Sequence, residues 1–126
     1  MIVCGMSKVR HPDKLGPHLR IVLGREVAVG PGKADLLEGI RDTGSIAAAG
    51  RRMGMSYKRA WYLVETMNAC FRGPVVEAAK GGPGGGGARL TPLGDMVLDA
   101  YRRMQVKTAK AITRELGALQ AEIARR

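Results

Sequence analysis

Apolar and polar positions change their spacing several times along this chain, and each change marks an element. From Leu19 to Val29 two β-rich runs flank Gly24-Arg25, which predicts a strand or a short hairpin. Gly30-Pro31-Gly32 breaks it. Leu36, Leu37 and Ile40 then fall at helical spacing, with Asp35, Glu38 and Arg41 pointing outward, so a first helix begins near Lys33. Asp42-Thr43-Gly44 stops it. Ser45 is placed to cap a second helix, Ile46 to Met53, whose apolar face is Ile46, Ala49 and Met53. Gly54 closes that helix in the left-handed conformation, with Met55 as the apolar contact after it. Ser56 caps a third helix, Tyr57 to Cys70, whose inner face is Ala60, Leu63 or Val64, and Met67.

Past Gly73-Pro74, residues 75–79 read as a strand, 80–88 as a glycine-dominated loop and 89–91 as the returning strand. Thr91-Pro92 is a strong helix start, an N-cap threonine followed by proline at the first helical position. No strong breaker follows before Arg126. Leu93, Val97, Ala100, Met104, Ile112, Leu116, Leu119 and Ile123 trace an apolar stripe at steps mostly of three or four. One continuous helix here would run about 50 Å at 1.5 Å per residue. A small domain cannot cover that length, so the stripe predicts packing against a second copy. Leu93, Val97, Met104, Ile112, Leu116, Leu119 and Ile123 are its expected interface residues. The expected fold class is mainly α with a small β component. Residues 1–18, with Pro12, Gly16 and Pro17, form a loose arm; 19–91 form the domain; 92–126 form the dimerisation helix.

The 126 residues suit one compact domain plus an extension, and 45% hydrophobic content suffices for a core. A formal charge of +10 favours a polyanionic partner, although nucleic acid, an anionic membrane and mere solubility all fit it. Placement narrows the choice. Between Ser45 and Leu90 seven basic residues face two acidic ones, which is half of the whole excess. No apolar run approaches the roughly 18 residues of a membrane span, and residues 1–10 lack the apolar stretch of a secretory signal, so a cytoplasmic chain with no membrane partner is expected. Cys4 and Cys70 form no metal-ligating or disulfide pattern. His11 and His18 have no carboxylate pair or nucleophile beside them. Neither catalytic residues nor a metal or cofactor is therefore expected.

The short helix, Gly-Met-Ser turn and longer helix over about 45–70 have the spacing of a DNA-binding helix-turn-helix. Ala49, Gly50 and Ala60 are small where the helices cross, and Met53, Met55 and Leu63 supply apolar contacts. An ordinary αα-hairpin shares that spacing. The outer face of the third helix favours DNA: Ser56, Tyr57, Lys58, Arg59 and Tyr62 lie on its first turn and a half, the part of a recognition helix that enters the major groove. Lysine and arginine donate to guanine O6 and N7 or to phosphates, and tyrosine hydroxyls reach phosphates. Backbone N–H groups beside Ser56 suit a phosphate oxygen. Trp61 either packs at the helix edge or stands beside the DNA backbone. Ser45, Arg51 and Arg52 on the second helix join the expected DNA contacts.

The loop between the strands reads as a wing over about 75–91, with Gly84, Gly85, Gly86 and Gly87 letting backbone amides approach phosphates and Lys80 and Arg89 flanking them. A plain linker is the alternative. Gly82, Gly84 and Gly87 also fit G-x-G-x-x-G, but no helix opens there, no βαβ unit surrounds it and no G-K-[ST] follows. A protein-interaction or ligand-sensing module that keeps the fold, with the C-terminal helix as its working part, is the competing function class.

Gly44-Ser45-Ile46-Ala-Ala-Ala, Gly54-Met55-Ser56-Tyr57-Lys58-x-Ala60-Trp61, Met67-Asn68 and the string from Gly81 to Thr91 resemble the N-terminal DNA-binding domain of the ModE-type molybdate-responsive transcription regulators, themselves related to the LysR-type winged helix-turn-helix. The resemblance covers about residues 19–104. It implies a winged helix-turn-helix that dimerises outside its reading head and binds double-stranded DNA at an inverted-repeat operator. Ser56, Tyr57, Lys58 and Trp61 match the recognition-helix motif, and Gly84 to Arg89 match the wing. Gly50 stands where an alanine-type residue is more usual, and Pro83 where a basic residue is common. The family senses molybdate through C-terminal oxyanion-binding domains. With Arg126 ending the sequence after one helix, a molybdate-sensing domain is not expected.

Overall fold

A computed structural model describes residues 15–25, 28–80 and 87–124. Within them lie five helices and two antiparallel strand pairs, a mainly α fold with a small β component. The short strands β1 (Ile21–Val22) and β2 (Ala28–Val29) pair with Ile21 opposite Val29. The helices α1 (Pro31–Thr43), α2 (Ile46–Arg52) and α3 (Tyr57–Cys70) follow. The hairpin β3 (Val76–Ala79) and β4 (Gly87–Leu90) pairs Val76 with Leu90 and Ala79 with Gly87. The helices α4 (Pro92–Ala111) and α5 (Thr113–Ala121) complete the order.

The local signals act where they stand. Ser45 accepts from the Ala48 amide at 3.0 Å, Ser56 from Arg59 at 3.1 Å and Thr91 from Gly94 at 3.0 Å, so three helix starts are closed by side chains. Gly54 has φ +70°, and its turn swings α3 across α2. Boundaries differ from the sequence-based expectation in several places: α2 ends at Arg52 rather than Met53, β3 begins at Val76 rather than 75, and β4 spans Gly87–Leu90 rather than 89–91, so Gly87 and Ala88 of the expected loop are strand. Pro31 is the first residue of α1 rather than part of a break, because its missing N–H costs nothing at that position. The C-terminal helix is not continuous. It stops at Ala111 and restarts at Thr113, with Ile112 between them at φ −105° and ψ 9°. The Thr113 hydroxyl donates to the Ala109 and Lys110 carbonyls, which satisfies acceptors at the interruption.

The core gathers around α1, which touches α2, α4 and β4. Leu36, Leu37 and Ile40 of α1 are fully buried with Ala49, Val64, Met67, Val75, Leu98 and Tyr101. Of the two candidates for the inner face of α3, Val64 is buried, whereas Leu63 packs half-buried at the core margin. The first turns of α4 belong to this core. Val97 is buried and Leu93 packs against the cluster, so these two expected dimer-interface residues are turned into their own chain. At Gly94 a Cβ would sit 2.0 Å from the Val75 carbonyl oxygen, so only glycine admits α4 this close to the hairpin.

Polar groups then fix the parts. The Asn68 Oδ1 accepts from the Val75 and Val76 amides at 2.8 and 3.1 Å, and its Nδ2 donates to the Val76 carbonyl, which fastens α3 to β3. The Ala88 amide donates to Gly44 at 2.9 Å, fastening β4 to the turn between α1 and α2. The Tyr101 hydroxyl donates to the Leu19 carbonyl at 2.6 Å. Burial pushes the Tyr101 phenol above its ordinary range. Asp35 and Glu38 do not simply face solvent as expected: both accept from the Arg102 guanidinium, at 2.9 and 3.1 Å, and join α1 to α4. Arg41 likewise reaches Asp99 at 3.2 Å and Asp95 at 3.6 Å. The Asp99 hydrogen bond raises the Arg41 pKa against a smaller desolvation penalty.

Candidate nucleic-acid interface

The two sides of α3 differ completely. Ala60, Val64 and Met67 are buried, while Ser56, Tyr57, Lys58, Arg59, Trp61 and Tyr62 are exposed. Apolar residues at steps of four and three draw one side onto the core. Lys58, Arg59 and Tyr62 fall on the opposite side and point outward, while Tyr57, in step with the buried side, is exposed in the first turn with Trp61 one turn after it. Tyr57 and Tyr62 are 56% and 57% exposed and Trp61 39%, so the tryptophan lies on the outer surface rather than in the core.

The rings are ordered among themselves. Tyr57 and Trp61, one turn apart, meet edge to face with centroids 6.3 Å apart, and the Trp61 Nε1–H donates to the Tyr57 hydroxyl oxygen. The Arg59 guanidinium lies over the Tyr62 ring, 5.6 Å from its centroid. Lys58 and Arg59 have no carboxylate partner among the described residues. At the helix start the Ser56 side chain takes the Arg59 amide and the Ser56 carbonyl takes the Ala60 amide. The Tyr57 and Lys58 amides are left at the open N-terminus, beside a hydroxyl and two cations.

The other expected residues divide. Ser45 spends its oxygen on the α2 cap and is half-buried. Arg51 is exposed at the end of α2. Arg52 is exposed but bound to Asp42 at 2.9 Å, so its charge is already compensated. Arg89 is bound to Glu77 at 2.8 Å, directly across the hairpin where the register places the two opposite each other. Lys80 is exposed just after β3, and Gly87 opens β4. Gly84, Gly85 and Gly86 lie outside the described residues, as do residues 1–14 of the expected arm. The structure thus gathers the α3 set on one surface and reduces the cationic role of Arg52 and Arg89. An open cleft between the end of α1 and β4 has Arg41 and Arg89 at its rim, but both guanidiniums are paired with carboxylates.

Asn68 enters the sequence reading only within the Met67-Asn68 string, with no role of its own, although it holds the hairpin to α3. Its signal is a lone amide on the buried side of an amphipathic helix just before two valines. A side chain there must satisfy its own polar atoms against neighbouring backbone.

These features define a mainly α unit in which two helices join through a tight glycine turn and a two-stranded hairpin follows. The chain is similar to proteins with molybdenum-related names. It is 46% identical over 94 residues to the molybdenum-pterin-binding protein MopB of Rhodobacter capsulatus, across 74% of this chain and 35% of that protein. It is 40% identical over 80 residues to the molybdenum transport protein ModE of Herbaspirillum seropedicae, across 64% of this chain and 30% of that one. It is 37% identical over 83 residues to the DNA-binding transcriptional dual regulator ModE of Escherichia coli K12, across 66% of this chain and 32% of that one. The chain therefore spans about a third of the length of the curated relatives it matches. No model of a known protein family matches it. No described helix is long and apolar enough to cross a membrane. Among the described residues no group of three His, Cys, Asp or Glu side chains is arranged to hold a metal ion.

Proposed function

We propose that this chain is the DNA-reading part of a ModE-type transcription regulator, a winged helix-turn-helix that binds double-stranded DNA site-specifically and acts on molybdenum-related genes. In this reading α2 and α3 are the helix-turn-helix, and α3 enters the major groove. The hairpin of β3 and β4 is the wing, and the chain acts as a homodimer in the cytoplasm on an inverted-repeat operator. The observation that carries it is the outer face of α3. Two uncompensated cations, three exposed aromatic rings and an open helix N-terminus sit together on the side turned away from the core. The relative named as a DNA-binding transcriptional dual regulator adds support. Nothing in the site calls for a reaction, so the chain is read as a binding protein and not an enzyme.

Lys58 and Arg59 supply base and phosphate contacts, Tyr57 a phosphate contact, and the amides at the start of α3 a further anion site. Residues Met104, Ile112, Leu116, Leu119 and Ile123 form the dimer contact, now without Leu93 and Val97. The test is a duplex enriched by the chain from a randomised pool, titrated by fluorescence anisotropy at several salt concentrations. Affinity should fall steeply and log-linearly with salt. Lys58→Ala and Arg59→Ala should each weaken binding about tenfold or more. A chain that enriches no duplex sinks the reading.

A further inference from the structure

Four side chains on the outer face of α3 are joined in two pairs, and each pair has an anchor and a charged or polar tip. Tyr62 offers its ring face to the Arg59 guanidinium, 5.6 Å from the centroid. Trp61 donates its indole N–H to the Tyr57 hydroxyl oxygen. A free arginine side chain has rotamer entropy that must be surrendered on contact. The place of Arg59 over the ring reduces that loss before DNA arrives and restrains where the guanidinium can lie. A guanidinium restrained in this way is better placed for bidentate donation to guanine O6 and N7. Lys58 has no such neighbour among the described contacts, and an ammonium on a flexible stem suits a phosphate. In the second pair, the Tyr57 oxygen is occupied by the indole N–H. Its own O–H proton is left to donate, and a donor to an anionic oxygen is the role a phosphate contact needs.

We infer that Tyr62 and Trp61 are positioning residues: Tyr62 holds Arg59 as the guanine reader, and Trp61 sets Tyr57 as a donor to the phosphate backbone. This rests on the DNA-binding reading above and divides its contact strip into residues that read and residues that aim. Sequence specificity then depends on Tyr62 although Tyr62 carries no charge and reads no base.

The experiment compares two duplexes of equal length and composition, one enriched by the wild-type chain from a randomised pool and one scrambled. Tyr62→Leu should lower the ratio of their affinities about tenfold, the lower range of one bidentate contact, with binding to the scrambled duplex and its salt slope unchanged. Tyr62→Phe keeps the ring and should keep the ratio. Arg59→Lys keeps the charge and should lose the ratio as Tyr62→Leu does. The two changes together should cost no more than either alone. Trp61→Phe should weaken both duplexes severalfold and leave their ratio intact. All four residues are exposed, and a circular-dichroism melt shows whether each variant is folded. A Tyr62→Leu variant with the wild-type ratio overturns the inference. So does one that loses both duplexes equally, or a Tyr62→Phe variant as impaired as Tyr62→Leu, since either makes Tyr62 a direct contact. A wild-type chain that enriches no duplex defeats the DNA reading itself, and this inference with it.

Discussion

The beginning of α4 and the whole of α5 have similar apolar spacing and opposite surroundings. In α4, Gly94, Val97, Leu98 and Tyr101 are buried against α1 and the hairpin. In α5 no residue is buried, and Leu119 and, just beyond the helix, Ile123 are 69% and 70% exposed. Periodicity therefore specifies that a face exists, not what lies beneath it. What separates the two is distance along the chain. The first eleven residues of α4 run over α1, where Arg102 meets Asp35 and Glu38, and beyond that anchor no element among the described residues covers the stripe.

Substitutions can test that contrast, the most damaging first. Leu98→Ala should cost about 2–5 kcal/mol, since the residue is fully enclosed, whereas Leu119→Ala at the same dilute concentration should change stability by less than about 0.5 kcal/mol. Urea titrations of both variants measure this, and equal losses at the two sites would erase the difference between the helices. Asn68→Ala comes next, at about 2 kcal/mol, because the Val75 and Val76 amides lose their acceptor. Retention of the wild-type midpoint in that variant would mean that water replaces the side chain. Arg102→Ala should cost about 1 kcal/mol, and the loss should shrink as salt is added. A salt-independent loss would point instead to packing of its stem.

The mildest test uses pH. The Tyr101 phenol is raised above its ordinary value of 10 by burial, so the fold favours its neutral form. Its contribution is complete below pH 10 and is lost as pH rises through the higher folded value. Tyr101→Phe should flatten the alkaline limb of a stability–pH curve measured by thermal melts. An unchanged limb in that variant would assign the alkaline loss to another group.

Much of this architecture was legible because it is local. Ser45, Ser56 and Thr91 cap within three residues of themselves, and Gly54 needs only its own backbone. The outer face of α3 was legible in part for the same reason, since helical spacing alone separates Lys58, Arg59 and Tyr62 from Ala60 and Val64; Tyr57, three positions before Ala60 and seven before Val64, is in step with the buried side, and its exposure in the first turn is not given by spacing. What escaped was non-local. Arg102 lies 67 positions from Asp35, and nothing in either neighbourhood announces the pair. Val97 was placed on the dimer stripe because its own-chain partners come from elements far earlier in the sequence. The compensation of Arg89 by Glu77 depends on hairpin register, which the glycine loop does not specify. The interruption at Ile112 has no proline or glycine to mark it.

The base of the hairpin offers one practical use. Ala79 and Gly87 are fixed as a cross-strand pair, and the strands below them are pinned by Asn68 on one side and by the Ala88–Gly44 bond on the other. The ends of the intervening loop are therefore set by contacts the loop does not make. The number of residues joining Ala79 to Gly87 is an engineering variable, since each doubling of a connecting segment costs in general only about 0.6 kcal/mol in closure entropy. A labelling tag or a reporter peptide inserted between residues 79 and 87 would be carried on a rigid mount, with the core left as it is.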